Sequence, residues 1–313
     1  MDFGFLFTDM LQQGLIWAIM ALGVFIAYRV EDIADLGAEG AFPLGAAVAV
    51  MALNAGITPV LAVILAILAG ALTGLCTSLL HTLLKIPSLL AGIITMVGLY
   101  SIILRVLGRA NVPITNGIDS IFSPLQNLLG NRYWGIVATM GIVVVALFFL
   151  LYWFFGTEIG VALRATGKNK AMAKAQSINT NVMIVLGLVI SNALVAMSGA
   201  FYAQQSHYAD VGMGRGTIVV GLAAIFLGEA VFGKRSFKNT LISVILGGFV
   251  YFLIIDIALE LNMNPNDLKL LQAIIIIFMI AWPLLKKWLN QPYQTVKNWL
   301  KKIFHRRPRK AAI

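Results

Sequence analysis

Long apolar runs constrain the fold of this chain more than any other feature. Residues 5–28, 57–84, 133–155, 182–204 and 241–255 contain very few charges. About 20 apolar residues in a helix cross the hydrocarbon core of a bilayer, and lipid cannot satisfy open backbone groups. The chain is 60% hydrophobic and 12% charged, whereas about a quarter of the residues in a soluble domain are charged. We therefore predict an all-α, polytopic membrane protein.

The apolar pattern predicts a bundle of about eight to ten spans. Residues 1–285 should form the transmembrane domain, and residues 286–313 a basic amphipathic tail that lies on anionic membrane lipids rather than on nucleic acid. We place the nine spans at residues 5–28, 40–54, 57–84, 86–104, 133–155, 182–205, 216–233, 239–258 and 269–285.

The distribution of Lys and Arg predicts the orientation of these spans, because cytoplasmic segments are enriched in basic residues. Nine spans put the termini on opposite sides. With the C-terminus inside, the inner segments hold most of the 23 basic residues. We expect an N-out, C-in protein of a bacterial cytoplasmic membrane. The outer set is Arg105, Arg109, Arg132, Arg215 and Lys269.

Two distant stretches share one pattern, G-x-F-x-A followed by A-D-x-G and G-x-x-x-x-G. The first motif occupies residues 23–45 and the second motif residues 199–221, with one-residue differences in spacing. In the predicted topology the two copies run in opposite directions, as in inverted-repeat transporters with broken helices near the midplane. Chance is the alternative, because small residues are common in membrane bundles.

Both motifs place carboxylates beside glycines. The candidate hinge glycines are Gly37, Gly40, Gly45, Gly212, Gly214 and Gly216. Such interrupted helices are tolerated where they line a cavity or are buried in protein. Asp35 and Asp210 can cap a restarted helix or contact substrate, and Glu39 has less need of a structural explanation. The candidate residues of a translocation pathway are Asp35, Glu39, Asn192, Asp210 and Arg215.

A basic loop at about residues 156–181 separates the fifth and sixth spans. Asn169 is positioned to cap a short helix, and small residues form a stripe along it. Such a helix adds little to the fold of one chain, which suggests that it docks onto a cytoplasmic partner. The candidate coupling residues are Thr166, Gly167, Asn169, Ala171, Met172 and Ala175.

Several stretches resemble the permease subunits of ABC importers, in the branched-chain amino acid/ribose group and its uncharacterised bacterial branch. They are DLGAEGAFPLGAAVAV (35–50), the loop 162–179, ADVGMGRGTIVVGLAAIFLGEAVFG (209–233) and NPNDLKLL (264–271). The resemblance covers about residues 15–285. It implies a permease homodimer that takes a small solute, such as an amino acid, from an external binding protein or lipoprotein and is driven by cytoplasmic ATPases.

The chain itself is not expected to be an enzyme or to carry a cofactor. Residues 228–235 approach a phosphate-binding loop, but Arg235 replaces the required hydroxyl and no strand precedes them. ATP should therefore be bound by a partner subunit. The single cysteine excludes an internal disulfide and a thiolate cluster, and no metal site is expected. An ion-coupled secondary transporter is the alternative, since inverted repeats also suit that class.

Overall fold

Helices make up most of the computed structural model, which describes residues 3–261, 263–264, 267–278 and 281. The predicted tail, residues 286–313, and the end of the predicted ninth span lie outside these residues. The helices are α1 (Phe3–Phe25, continued by a π-helix, Ile26–Val30), α2 (Ala38–Asn54), α3 (Pro59–Thr82), α4 (Ser88–Leu107), α5 (Ser123–Leu129), α6 (Arg132–Gly156), α7 (Glu158–Lys168), α8 (Lys170–Ala175), α9 (Thr180–Ser206), α10 (Thr217–Phe232), α11 (Phe237–Glu260) and α12 (Leu268–Phe278).

The apolar helices confirm the prediction of a polytopic, all-α membrane bundle. Within the described ranges, six helices are long and apolar enough to cross a bilayer. Three shorter apolar helices, α2, α10 and α12, correspond to the predicted second, seventh and ninth spans. The two motifs therefore lead into α2 and α10, both of which are shorter than the six helices that can cross a bilayer.

Contacts between helix termini define two ends of the bundle. At the basic end, Arg29 at the end of the π-helix forms an ion pair with Glu229 near the end of α10, and Lys234 Nζ lies 3.5 Å from the same carboxylate. At the hairpin end, strand β1 (Asn111–Pro113) pairs antiparallel with β2 (Tyr208–Asp210). Residues predicted to share one side of the membrane thus meet at one end of the structure.

Side-chain caps explain where several helices begin. Asn131 Oδ1 accepts the N–H of Tyr133 at 2.9 Å at the start of α6, and Asn179 Oδ1 accepts the N–H of Val182 at the start of α9. Ser236 caps α11 through the N–H of Asn239. These acceptors satisfy backbone donors that the first helical turn leaves free.

Helix α9 is the central packing surface of the bundle, and small residues allow its neighbours to approach its backbone. A Cβ on Gly45 of α2 would lie 2.1 Å from the carbonyl oxygen of Ala196. A Cβ on Gly74 of α3 would lie 2.2 Å from the carbonyl oxygen of Leu188, and Gly70 makes a similar approach at Asn192. Close backbone packing through glycine is typical of membrane helices.

The sequence did not predict three elements. The 156–181 loop contains two helices, α7 and α8, instead of one short helix that starts at Asn169. The short helix α5 and the β1–β2 ladder lie at the hairpin end, in segments without a clear periodic pattern. Both are short, and each is stabilised by contacts with distant segments, such as the bond from Ile121 N–H to Gln204 Oε1 at 2.9 Å.

Candidate functional site

The two motifs fold into the same local turn. In the first motif, Asp35 Oδ1 accepts the N–H of Gly37 at 2.8 Å. In the second motif, Asp210 Oδ1 accepts the N–H of Gly212 at 2.7 Å. A side-chain oxygen that accepts the N–H two residues ahead forms an Asx turn, which Asp and Asn favour. The shared hydrogen bond gives the sequence similarity a structural basis.

The carboxylate of Asp35 is buried and paired. Its Oδ2 accepts the side-chain N–H of Asn192 at 2.7 Å, and Asn192 also donates to the carbonyl of Leu188 at 3.0 Å. Asp35 is 8% exposed and Asn192 is fully buried. This pair fastens the segment between α1 and α2 to the middle of α9. Asp35 and Asn192 do not line the cavity described below, and their place in a translocation pathway stays a prediction.

Asp210 occupies a different environment from Asp35. Its Oδ2 accepts the side-chain N–H of Asn111 at 3.2 Å, across the β1–β2 ladder, and the residue is half-buried. The two matching turns therefore have different hydrogen-bond partners. The first turn is anchored inside the bundle, and the second is anchored at the hairpin end. Asp210 also lies outside the lining of the cavity.

The two motifs meet at Glu39. Its Oε1 accepts the N–H of Gly216, the residue that precedes α10, at 3.1 Å. Gly214 lies against the same turn, since a Cβ there would be 2.0 Å from the carbonyl oxygen of Glu39. The N-terminal turns of α2 and α10 are thus in contact, and the carboxylate stabilises a free backbone donor at the start of α10.

A cavity of about 360 Å³ opens beside this junction. It brings together Glu39 and Arg215, two of the predicted pathway residues, one acidic and one basic. Helix α4 supplies the opposite wall, with Tyr100 and Ser101 as its polar members. The lining residues are Glu39, Gly40, Pro43, Met96, Val97, Tyr100, Ser101, Ile103, Val211, Gly214 and Arg215. The cavity is mainly apolar, with charges of opposite sign on it.

The predicted hinge glycines divide into two groups. Gly40 and Gly45 lie inside the continuous helix α2, where they allow contact with Leu99 and Ala196. The predicted unwinding at these two positions is corrected, because the chain is irregular only before Ala38. Gly216 has a φ of 85°, in the left-handed region that favours glycine. Gly37, Gly212 and Gly214 lie in the two turns that precede α2 and α10.

The predicted coupling residues also divide into two groups. Asn169 caps α8 as predicted, since its Oδ1 accepts the N–H of Met172 at 3.0 Å. Asn169, Ala171, Met172 and Ala175 are exposed. Thr166 is buried and Gly167 packs on α1, where a Cβ would lie 1.9 Å from the carbonyl oxygen of Val30. Thr166 and Gly167 therefore pack against the bundle in the single chain, and their role in coupling stays a prediction.

Glu31 is a residue that the sequence reasoning missed. It is 2% exposed, and neither carboxylate oxygen has a hydrogen-bond partner among the described residues. It lies between Gly167 of α7 and Gly187 of α9, whose added Cβ would be 2.0 Å from Glu31 Oε1. An acid four positions before Asp35 was the available signal. Tyr100 and Met96 were also missed, because nothing distinguishes them within an apolar span.

No metal cluster is found in the part of the chain that the structure describes: no group of three or more His, Cys, Asp or Glu is placed to hold an ion. Three features together define a class of protein, the polytopic transport permeases. They are the short helices that start at a shared junction, the mixed-charge cavity beside them and the long apolar helices around them.

The chain belongs to the family described as branched-chain amino acid transport system, permease component, whose model matches residues 6–281. This confirms the resemblance to permease subunits of ABC importers, a family of transport components rather than enzymes. The match includes both motifs, α7 and α8.

Named relatives agree with this assignment. A tyrosine transport system permease protein of Clostridioides difficile (strain R20291) is 40% identical over 87% of this chain and 90% of its own length. An uncharacterized protein of Rickettsia prowazekii (strain Madrid E) is 31% identical over 87% of this chain and 95% of its own length. The autoinducer 2 import system permease protein LsrC of Yersinia pseudotuberculosis (serotype O:3, strain YPIII) is 26% identical over 78% of this chain and 67% of its own length. No solved structure matches the chain.

Proposed function

We propose that this chain is the membrane subunit of an ATP-driven importer and passes an amino acid from an external binding protein to the cytoplasm. The observation that carries the proposal is the cavity at the junction of the two motifs, with Glu39 and Arg215 on one mainly apolar surface. Charges of opposite sign suit the ammonium and carboxylate of a zwitterion, and an apolar wall suits its side chain.

An amino acid with an apolar or aromatic side chain is the substrate class that this surface favours. Met96, Val97 and Ile103 provide apolar contacts, and Tyr100 provides an aromatic one. The relative from Clostridioides difficile is named for tyrosine transport, and we extend that substrate class to this chain. A cavity of about 360 Å³ falls within the usual range for small-molecule sites.

The exposed surface of α8 is the proposed docking site for an ATPase. Met172 is 64% exposed at the basic end of the bundle, and Ala171 and Ala175 extend the same small surface. A short helix that exposes a large apolar side chain gains little in isolation, whereas a partner groove would bury it. We propose that this end faces the cytoplasm, which gives the N-out, C-in orientation.

Movement of the docked helices has a direct route to the first motif. α7 contacts the end of α1 through Gly167 and Val30, and Glu31 follows immediately in the segment that carries Asp35. We propose that ATPase motion displaces this segment and thereby the start of α2. The exposed face of α4 near Val97 and Tyr100, 61% and 48% exposed, is the proposed contact with a second copy of the chain.

Reconstituted transport tests the proposal. Proteoliposomes that contain the chain, its ATPase and its binding protein should accumulate labelled tyrosine only with internal ATP. Proteoliposomes with the chain alone should not accumulate it under a proton or sodium gradient. Gradient-driven uptake by the chain alone would overturn the proposal in favour of an ion-coupled carrier. ATP-driven uptake of a sugar but not of amino acids would overturn the substrate class alone.

A further inference from the structure

A second cavity, remote from the junction of the motifs, has the surface of an amphiphile site. It has a volume of about 620 Å³ and lies between the end of α6 and the start of α11. One wall is aromatic and includes Tyr152 and Trp153. The other wall carries two cations, Arg164 and Lys238, and none of the described lining residues is acidic.

Arg164 has an unused hydrogen-bond donor at this cavity. Its guanidinium carbon lies 4.9 Å from the centre of the Phe237 ring, which fixes the side chain over the start of α11. Its Nε is buried without a hydrogen-bond partner among the described residues. Buried donors are nearly always satisfied, so we expect an acceptor near Arg164 beyond the described residues.

The neighbouring surface is also short of negative charge. An adjacent cavity of about 600 Å³ shares Arg164 and adds the cations Arg29, Lys168, Lys234 and Arg235. Glu229 is its acidic lining residue, and Glu229 is already paired with Arg29 and Lys234. The remaining cations face the same region as Arg164, which favours an anionic ligand over a neutral one.

The aromatic wall indicates what kind of molecule carries the anionic group. Trp153 is 68% exposed and Tyr152 is 47% exposed, both within the last turns of α6, a helix that can cross a membrane. Aromatic side chains of this kind are enriched where hydrocarbon meets lipid headgroups. We propose that this cavity binds an anionic phospholipid, with the phosphate at Arg164 and Lys238 and the glycerol and first acyl carbons on Tyr152 and Trp153.

Lipid retention by the purified full-length protein tests the proposal. Delipidated protein should retain phosphatidylglycerol in preference to phosphatidylcholine in native mass spectrometry. The double variant Arg164→Gln, Lys238→Gln should lose about 25-fold in this retention, since each cation near a lipid surface contributes about fivefold. The matched control Arg105→Gln, Arg109→Gln removes two cations from the hairpin end and should retain the lipid. Equal retention of both lipids, or an unchanged double variant, would overturn the proposal.

Fluorescence gives a second measurement that does not depend on the double variant. In a variant that keeps Trp153 as its single tryptophan, with the other five replaced by Phe, phosphatidylglycerol with bromine on its first acyl carbons should quench the fluorescence. Lys238→Gln alone, at an exposed position, should weaken it about fivefold. Unquenched fluorescence of Trp153 in this single-tryptophan variant would overturn the site.

Two further arms separate a lipid from other anions. Inorganic phosphate and glycerophosphate should not displace the brominated lipid at millimolar concentration; displacement would show a site for a soluble phosphate. The double variant should still associate with the ATPase. Lost association with unchanged lipid retention would show that the cations bind an acidic protein surface and would overturn the lipid assignment.

Discussion

The carboxylate of Glu39 accepts the backbone N–H of Gly216 at 3.1 Å, across 177 positions of the chain. This hydrogen bond joins the first turn of α2 to the residue that precedes α10. It places an acidic group at the junction of the two motifs and on the wall of the proposed substrate cavity. Glu39 therefore has two separable roles: its carboxylate stabilises the start of α10, and it lines the cavity where a substrate could contact it. A substitution that changes one role and keeps the other tests them separately.

Glu39→Gln keeps an oxygen that can accept the Gly216 N–H but removes the charge. If the carboxylate receives the substrate ammonium, uptake of tyrosine should fall about tenfold or more, because hydrogen bonds to charged groups contribute roughly 1.5–3 kcal/mol. The melting temperature should change little. Asp119→Asn, the same kind of change at an exposed residue outside the cavity lining, is the control and should transport well. Full activity in Glu39→Gln would show that the residue only stabilises α10.

The buried pair of Asp35 and Asn192 predicts a reciprocal rescue. Asp35→Asn places two amide groups against each other and should reduce the free energy of unfolding by about 1–3 kcal/mol, as expected for an unsatisfied buried group. The swap Asp35→Asn, Asn192→Asp restores a donor and an acceptor between the two positions and should recover part of this loss, because the new carboxylate can no longer donate to the carbonyl of Leu188. Thermal unfolding in detergent measures both. A swap no better than the single variant would argue against the pairing.

Close approach at Gly214 predicts a strong size limit. Gly214→Ala would bring a Cβ to 2.0 Å from the carbonyl oxygen of Glu39, and overpacking of this kind costs about 1–3 kcal/mol. Gly98→Ala is the matched control, because no atom lies within 4 Å of its added Cβ. The first variant should lower the melting temperature and the second should not. Equal melting temperatures would mean that the two motifs are less closely packed.

The exposed side chain of Met172 on α8 allows a direct test of ATPase docking. Met172→Asp puts a charge on an exposed apolar position and should abolish stimulation of the ATPase while the chain stays folded. Leu128→Asp, at a 78% exposed position on α5 at the hairpin end, is the control and should leave stimulation intact. Gly167 is unsuitable, since its variants would clash with Val30. Normal stimulation in Met172→Asp would place the docking surface elsewhere.

His207 predicts a pH dependence of stability at the hairpin end. Arg132 Nη2 donates to His207 Nε2 at 2.8 Å, and partial burial together with the Arg132 charge lowers the pKa of His207 below its ordinary value of 6.5. As the pH falls, His207 is therefore protonated at a higher pH in the unfolded chain than in the folded chain. The contribution of the neutral histidine to stability is complete above pH 6.5 and is lost as the pH falls below it. The melting temperature should drop more in the wild type than in His207→Gln between pH 7.5 and 5.5. Parallel curves would contradict this coupling.

The sequence predicted the spans well, because hydrophobic length is a local property that lipid reads directly. It also predicted the Asn169 cap, which depends on a neighbour three positions away. Asp35 and Asp210, expected to cap helices, form Asx turns instead, and the residues that precede α2 and α10 have no side-chain cap. The sequence did not place Asn192 on Asp35 or Glu39 on Gly216, since those contacts depend on how distant helices pack. The packing of Thr166 and Gly167 against the bundle was not predicted for the same reason, because periodicity does not show which neighbours cover a helix face.

The glycine contacts on α9 restrict how this molecule can change shape. Helices α2 and α3, which follow the first motif, rest backbone to backbone on α9, which carries the start of the second. The two repeats are therefore interleaved, and neither can swing past the other without parting main chains already in contact. A large opening would have to separate this molecule from a neighbour, or bend only the few residues that precede α2 and α10.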